Sequence, residues 1–142
     1  MTKTKYSIQK VETASRDEID LIQFQKLETM LKKVTTSNPF YQNKFKNHGI
    51  TSSEIRSLED LSKLPFTTKK ELEKDQEEHP PFGTNLTEPL ENYVQYHQTS
   101  GTAGKPLKFL DTKESWEWRG RVACYILKGA GVRQGRPNFF PV

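Results

Sequence analysis

The chain has 142 residues and a net charge of +4, with 32% hydrophobic and 28% charged residues. This length suits one domain, or part of one, and is too short for a large enzyme subunit with a mobile lid. A single cysteine, Cys124, excludes an intramolecular disulfide and a cysteine zinc site, and no stretch approaches the roughly 20 apolar residues that span a bilayer. We therefore expect a cytoplasmic protein with a thin core and no membrane partner.

The first predicted elements are two helices. Ser15 and Glu18 have the spacing of a capping box, and apolar residues recur behind them at helical steps, which predicts a helix over residues 16–35. Pro39 is typical of the first position of a second helix, and Gly49 offers a left-handed residue to end it.

A short helical stripe and a charged helix are predicted next. The stripe lies behind a Ser57 cap, ends at Pro65 and consists of Leu58, Leu61 and Leu64. The charged helix is expected to begin behind Thr68 and to run to about Glu78. Residues 82–89 combine turn-forming residue types without any period, which predicts a long surface connection.

The pattern then changes to strand, glycine loop, strand and helix. Tyr93, Val94 and Tyr96 mark one β-prone run and residues 107–110 another. Asp111 and Glu114 have the spacing of a further capping box. One of the glycines at 129 and 131 is expected to end the helix, whose apolar side is formed by Trp118, Val122, Tyr125, Ile126 and Leu127.

The segment at residues 99–106, Thr-Ser-Gly-Thr-Ala-Gly-Lys-Pro, has a composition suited to a polyphosphate. Glycines let several backbone N–H groups converge, hydroxyls donate without bulk and a lysine balances negative charge. The loop of P-loop NTPases is excluded, because only two residues separate Gly101 from Gly104 and Pro106 follows Lys105. By composition alone, the segment is equally typical of a hairpin connection.

The order of these residues resembles the phosphate-binding signature [ST]SG[ST]TGxP of adenylate-forming enzymes, the superfamily of acyl-CoA synthetases and luciferases. The departure is Ala103, where the family usually has threonine, so one hydroxyl donor is missing. Many members also have a lysine directly after the proline. Here that position is Leu107, and Lys105 or Lys108 would have to replace the missing charge.

Two upstream segments narrow the resemblance to phenylacetate-CoA ligases. NPFYQNKFKNHGI at residues 38–50 and LPFTTKKEL at 64–72 look like two N-terminal signatures of that family, in the usual order. Their aromatic residues are interpreted as packing residues rather than ligand contacts: Phe40, Tyr41, Phe45 and Phe66. His97, which lies just before the loop, is interpreted as structural and is not assigned a catalytic role.

The resemblance implies a ligase reaction in two steps. A carboxylate such as phenylacetate attacks the α-phosphate of Mg-ATP, giving an acyl-adenylate and pyrophosphate, and CoA then displaces AMP. ATP, Mg²⁺ and CoA are the implied cofactors. The implied ATP-binding residues are Thr99, Ser100, Gly101, Thr102, Ala103, Gly104 and Lys105, while no catalytic or metal-ligating residue is assigned.

The fold that the resemblance implies is α/β, with a helical N-terminal half leading into the first strands and helix of an incomplete adenylate-forming domain. Residues 1–91 are the mostly helical segment, and residues 92–142 are the strand, phosphate loop, strand and helix. Family segments that contact adenine, metal and ribose, and the lid with its lysine, do not occur in this sequence. We therefore expect a truncated or frame-shifted product that is inactive alone, with a separately encoded C-terminal part as one partner.

Two other functions are weighed against this hypothesis. A non-catalytic module could retain the loop and bind a nucleotide or a protein partner. Nucleic-acid binding is disfavoured, although residues 99–142 contain eight Lys and Arg against three Asp and Glu. That basic segment lacks surface aromatic residues interleaved in a recognised motif, so no nucleic-acid partner is expected.

Overall fold

The computed structural model describes residues 11, 13–101 and 105–132. The helices are α1 (Arg16–Ser37), α2 (Pro39–Asn47), α3 (Lys69–Glu78) and α4 (Lys113–Gly129), and the strands are β1 (Tyr93–Gln98) and β2 (Lys108–Thr112). Short 3-10 helices lie at Ser52–Glu54, Glu59–Lys63 and Leu90–Asn92. Because the helices α1 to α3 precede the hairpin, the predicted α/β class with a helical N-terminal half is confirmed.

Capping boxes explain where α1 and α3 begin. The Ser15 hydroxyl accepts from the Glu18 amide at 3.3 Å, and the Glu18 carboxylate accepts from the Ser15 amide at 2.8 Å. Thr68 and Glu71 make the same reciprocal pair at the start of α3, at 3.3 Å and 2.7 Å. Each box satisfies amides that have no partner inside the helix, and both predicted helix starts are confirmed.

The predicted cap at Ser57 is wrong. The leucine stripe forms the 3-10 helix Glu59–Lys63, whose N-cap is Leu58 without a side-chain hydrogen bond. The Asp60 carboxylate, inside the helix, accepts from two amides that precede it, those of Arg56 at 2.8 Å and Ser57 at 3.2 Å. The Ser57 side chain hydrogen-bonds the Glu59 carboxylate, and this contact lowers the pKa of Glu59.

The predicted capping box of Asp111 and Glu114 is also wrong. The N-cap of α4 is Thr112, whose hydroxyl accepts from the Ser115 amide at 3.2 Å. Asp111 instead lies in the strand, and its carboxylate accepts from the Ser115 hydroxyl at 2.9 Å. Adjacent residues with good capping side chains make the helix start ambiguous by one position in sequence alone.

The hydrophobic core lies between α1, α2 and the segment that follows α2. Its buried members are Leu27, Leu31, Phe45 and Ile55. Tyr41 packs against this cluster, and Phe40 contacts Tyr41 edge to face with ring centroids 5.3 Å apart. The packing interpretation is therefore confirmed for the aromatic residues of α2. It is wrong for Phe66, which is 94% exposed in the irregular segment before α3.

The connection at residues 82–89 is irregular, as predicted, but half-buried and tied to the helices. The Asp75 carboxylate of α3 accepts from the Thr84 amide at 2.7 Å and from the Thr84 hydroxyl at 2.6 Å. The side-chain amide of Asn38, between α1 and α2, donates to the Asn85 side-chain oxygen at 2.9 Å and to the Thr87 hydroxyl at 3.0 Å. Buried polar side chains thus hold a segment that carries no helix or strand of its own.

The strands β1 and β2 form an antiparallel hairpin, in which Tyr96 pairs with Leu110 and Gln98 with Lys108. Helix α4 packs on this hairpin but has no fully buried side chain. Large apolar side chains of both elements remain exposed: Val94, Tyr96, Phe109, Trp116, Trp118, Val122, Ile126 and Leu127. A two-stranded hairpin is marginal by itself and needs further strands or helices to bury such surfaces. Within the described ranges, no helix is long and apolar enough to cross a bilayer.

Candidate phosphate-binding loop

Thr99 and Leu107 close the base of the predicted phosphate loop. The Thr99 amide donates to the Leu107 carbonyl, and the Leu107 amide donates to the Thr99 hydroxyl, both at 2.9 Å. The side chain of Leu107 is buried, which anchors this closure. The Thr99 hydroxyl accepts one hydrogen bond here and keeps its own proton to donate to another acceptor.

Gly101 gives the loop a backbone conformation that other residues adopt only with strain. Its φ is +66°, in the left-handed region where a Cβ atom would clash with the following backbone. Thr99 and Ser100 before it are exposed to solvent. The structure therefore brings Thr99, Ser100, Gly101 and Lys105 to the two ends of one loop, while the other predicted members, Thr102, Ala103 and Gly104, lie outside the described residues.

Helix α3 holds the exit of the loop through Gln76. The Gln76 side-chain amide donates to the Lys108 carbonyl at 2.7 Å, and its oxygen accepts from the Lys108 amide at 3.0 Å. Because the Leu107 amide and carbonyl bond to Thr99, the backbone amides and carbonyls of Leu107 and Lys108 are all hydrogen-bonded. Sequence reasoning missed Gln76, since a glutamine in a charged helix gives no signal of a strand partner 32 residues away.

Lys105, the loop's lysine, is paired with Glu77 of α3 at 2.5 Å. This hydrogen bond raises the pKa of Lys105 above its ordinary value. A pocket of about 240 Å³ lies between α3 and the exit of the loop, and Glu73, Gln76 and Pro106 are among its lining residues. The loop therefore carries one ammonium, which is paired with a carboxylate, beside a small cleft.

His97 belongs to a polar cluster that joins the hairpin to α4. Its Nε2 lies 2.7 Å from the Asp111 carboxylate and 3.0 Å from the Arg119 guanidinium. The same nitrogen can donate to Asp111 or accept from Arg119, but cannot do both. The imidazole also packs on Trp116, with ring centroids 5.3 Å apart. These contacts agree with the structural role expected for His97.

Sequence comparison relates this chain to ligases that form CoA thioesters. It is 35% identical over 128 residues to phenylacetate-coenzyme A ligase of Escherichia coli strain K12. The aligned region covers 90% of this chain and 28% of that enzyme. It is 33% identical over 125 residues to phenylacetate-coenzyme A ligase of Thermus thermophilus, covering 88% and 27% respectively. No protein-family model matches the chain.

Solved structures give the same relationship in three dimensions. 2-Hydroxyisobutyryl-CoA ligase in complex with 2-HIB-AMP and CoA, in the thioesterification state, matches with a TM-score of 0.80 and 31% identity over 87% of this chain. The postadenylation state with 2-HIB-AMP matches with a TM-score of 0.79 and 29% identity. The chain spans 28% of the Escherichia coli relative and 26% of the solved chain. In sequence and in fold, it therefore corresponds to part of an adenylate-forming acid-CoA ligase of the phenylacetate-CoA ligase kind.

Proposed function

We propose that this chain supplies the phosphate-binding loop of a ligase that activates a carboxylic acid with ATP and transfers the acyl group to CoA. The observation that carries the proposal is the loop base formed by Thr99 and Leu107, with Gly101 at a φ of +66°. It lies in a sequence that resembles the adenylate-forming signature. The fold's solved neighbours are named as complexes with an acyl-adenylate and CoA.

In this proposal, the loop binds the phosphates that leave as pyrophosphate. The hydroxyls of Thr99 and Ser100 and the amides around Gly101 are donors without bulk, and they would surround the β- and γ-phosphates. Holding that leaving group in line with the attacking carboxylate lowers the barrier through positioning and through stabilisation of developing charge. Residues 102–104 complete the proposed set of ATP-binding residues.

A magnesium ion fits this loop as a companion of ATP. Mg²⁺ usually keeps several waters and binds through substrate phosphates plus one or two carboxylates. A loop that binds the phosphates of ATP therefore does not need a full set of protein ligands for the ion. Within the part of the chain that the structure describes, no group of three or more acidic, histidine or cysteine residues could hold a metal. The ion would neutralise phosphate charge, while the residues of this chain orient the phosphates.

The substrate proposed is a carboxylic acid, with phenylacetate as the first candidate. The curated relatives are named for phenylacetate, and the solved neighbours are named for 2-hydroxyisobutyrate. By resemblance, most of the residues that select the acid and bind CoA belong to family segments that do not occur in this sequence. The acid is therefore proposed from the names of the relatives. CoA is proposed as the acyl acceptor from those names and from the solved complexes that contain it.

We also propose that turnover requires further ligase segments, in the same polypeptide or in another. The matched relatives are more than three times as long as the matched region, since this chain covers 28% of the first of them. Adenylation needs the α-phosphate fixed against an acyl oxygen, and loss of such positioning forfeits about 7 to 11 kcal/mol at the extreme. The exposed apolar side of α4 and the hairpin, with Trp116, Val122 and Ile126, supports packing against such segments.

The test is acid-dependent ATP–pyrophosphate exchange, with phenylacetate and a panel of other acids. We expect no exchange above a no-enzyme blank for the chain alone. Exchange should appear when the chain is refolded with the region of the Escherichia coli ligase that lies outside the matched segment. The Gly101→Val variant should not restore it, because the side chain blocks the loop.

Two results would count against this proposal. Clear exchange by the chain alone contradicts the requirement for further segments. If the refolded mixture shows no exchange while the chain alone still binds pyrophosphate, the result favours the alternative of a non-catalytic nucleotide-binding module.

A further inference from the structure

Glu77 of α3 lies outside the predicted phosphate loop but contacts its only lysine. We propose that Glu77 competes with ligand phosphate for Lys105 and thereby weakens phosphate binding until a ligand displaces its carboxylate. This inference rests on the proposed function of the loop. Glu77 is not part of the loop signature. Its proposed effect is to weaken phosphate binding, whereas the loop residues are proposed to strengthen it.

The pair joins α3 to the segment that leads into β2. Lys105 Nζ lies 2.5 Å from Glu77 Oε1. Next to Glu77 in α3, Gln76 makes hydrogen bonds of 2.7 Å and 3.0 Å with the carbonyl and the amide of Lys108. These bonds fix the backbone of Lys108, three residues after Lys105, against the helix that carries Glu77.

A phosphate that approaches Lys105 has to replace the Glu77 oxygen. Both are anionic acceptors for the same ammonium, and the Glu77 carboxylate already pairs with it. Glu73, one helical turn before Glu77, lines the same pocket and adds negative charge beside the lysine. An anionic ligand therefore meets an occupied lysine and repulsion from two carboxylates.

The size of the effect follows from solvent exposure. The side chain of Lys105 is 73% exposed and that of Glu77 is 52% exposed, so water screens the pair strongly. Exposed pairs of this kind are weak, and removing the competitor is expected to tighten phosphate binding about two- to fivefold. Larger changes would require a buried pair.

The experiment measures pyrophosphate binding to the full chain by isothermal titration calorimetry, with circular dichroism to verify folding. Glu77→Gln keeps the shape of the side chain but removes its charge. The matched control is Glu78→Gln, which removes the same charge one residue away. The Glu78 carboxylate oxygen Oε1 lies 3.7 Å from Nζ of a different lysine, Lys74. A third protein, Lys105→Met, and its combination with Glu77→Gln show whether the effect acts through the lysine.

We expect Glu77→Gln to bind about two- to fivefold more tightly than the unmodified chain, Glu78→Gln to bind unchanged, and the gain to vanish in the Lys105→Met background. Equal effects of Glu77→Gln and Glu78→Gln, or a gain that persists without Lys105, would overturn the inference while leaving the loop's function intact. Absence of binding in every protein would contradict the proposed function and this inference with it.

Discussion

Lys44 of α2 and Glu71 of α3 form an ion pair in which the ammonium is almost completely buried, with 5% of the Lys44 side chain exposed. The same Glu71 carboxylate accepts from the amide and the hydroxyl of Thr68 at the start of α3. The Lys44 ammonium, followed by these Thr68 donors, lowers the pKa of Glu71 from 4.5 to about 2. One side chain therefore caps α3 and attaches it to α2.

This ion pair should make stability depend on pH. Because the folded pKa of Glu71 lies below its ordinary value of 4.5, its contribution is fully present above about pH 4.5 and is lost as pH falls toward 2. Glu71 is 41% exposed, so solvent screening limits the loss in Glu71→Gln to about 1 to 2 kcal/mol at pH 7. Urea unfolding should show that Glu71→Gln lowers the free energy of unfolding less at pH 3 than at pH 7. An equal loss at both pH values would contradict the ion-pair explanation.

Asn38 should be among the most sensitive positions for stability. It is 2% exposed, caps α2 through the Tyr41 amide at 3.2 Å and donates to Asn85 and Thr87. Asn38→Ala removes the cap and leaves buried partners unpaired, so we expect a loss of about 2 to 4 kcal/mol in the free energy of unfolding. Denaturant titration checks this against Asn43→Ala, an exposed site on the same helix, which should change stability by less than about 0.5 kcal/mol. Similar losses in both variants would refute it.

Gly83 should tolerate no side chain. Its φ is +78°, and a Cβ atom there would lie 2.2 Å from the Asp75 carboxylate that holds Thr84. Gly83→Ala is expected to lower the thermal midpoint and to cost about 2 to 3 kcal/mol. The control is Gly129→Ala, where no heavy atom lies within 4 Å, and it should leave stability unchanged or raise it by up to about 1 kcal/mol. A Gly83→Ala chain as stable as this control would show that the turn adapts.

Gly101 should matter more for phosphate binding than Lys108. Gly101→Val places a branched side chain at a φ of +66°, where it strains the loop and blocks approach of a phosphate to the amides. Lys108→Ala removes a half-buried side chain while Gln76 still holds the Lys108 backbone. We expect the first variant to lose pyrophosphate binding by about tenfold or more, and the second by less than about fivefold. The reverse order in a calorimetric titration would contradict the role of the loop amides.

Local patterns in the sequence were sufficient to predict where α1 and α3 begin. The capping boxes at Ser15 and Thr68 act within one turn, so their spacing is visible without tertiary structure. The contacts of Asn38 with Asn85 and of Gln76 with Lys108 join residues 47 and 32 positions apart. No local periodicity encodes such pairs, which is why the supports of the loop and of the irregular connection emerge only in the structure.

The most direct measurement of the central claim, that residues 99–105 form a phosphate-binding loop, is a nuclear magnetic resonance titration of the ¹⁵N-labelled chain with pyrophosphate. We predict chemical-shift changes centred on the amides of Thr99, Ser100, Gly101, Lys105 and Leu107, with saturation in the millimolar range or tighter, on the order of 4 kcal/mol of binding free energy. Spectra that stay unchanged at millimolar pyrophosphate, or changes confined to lysines of α1 and α2, would contradict the claim.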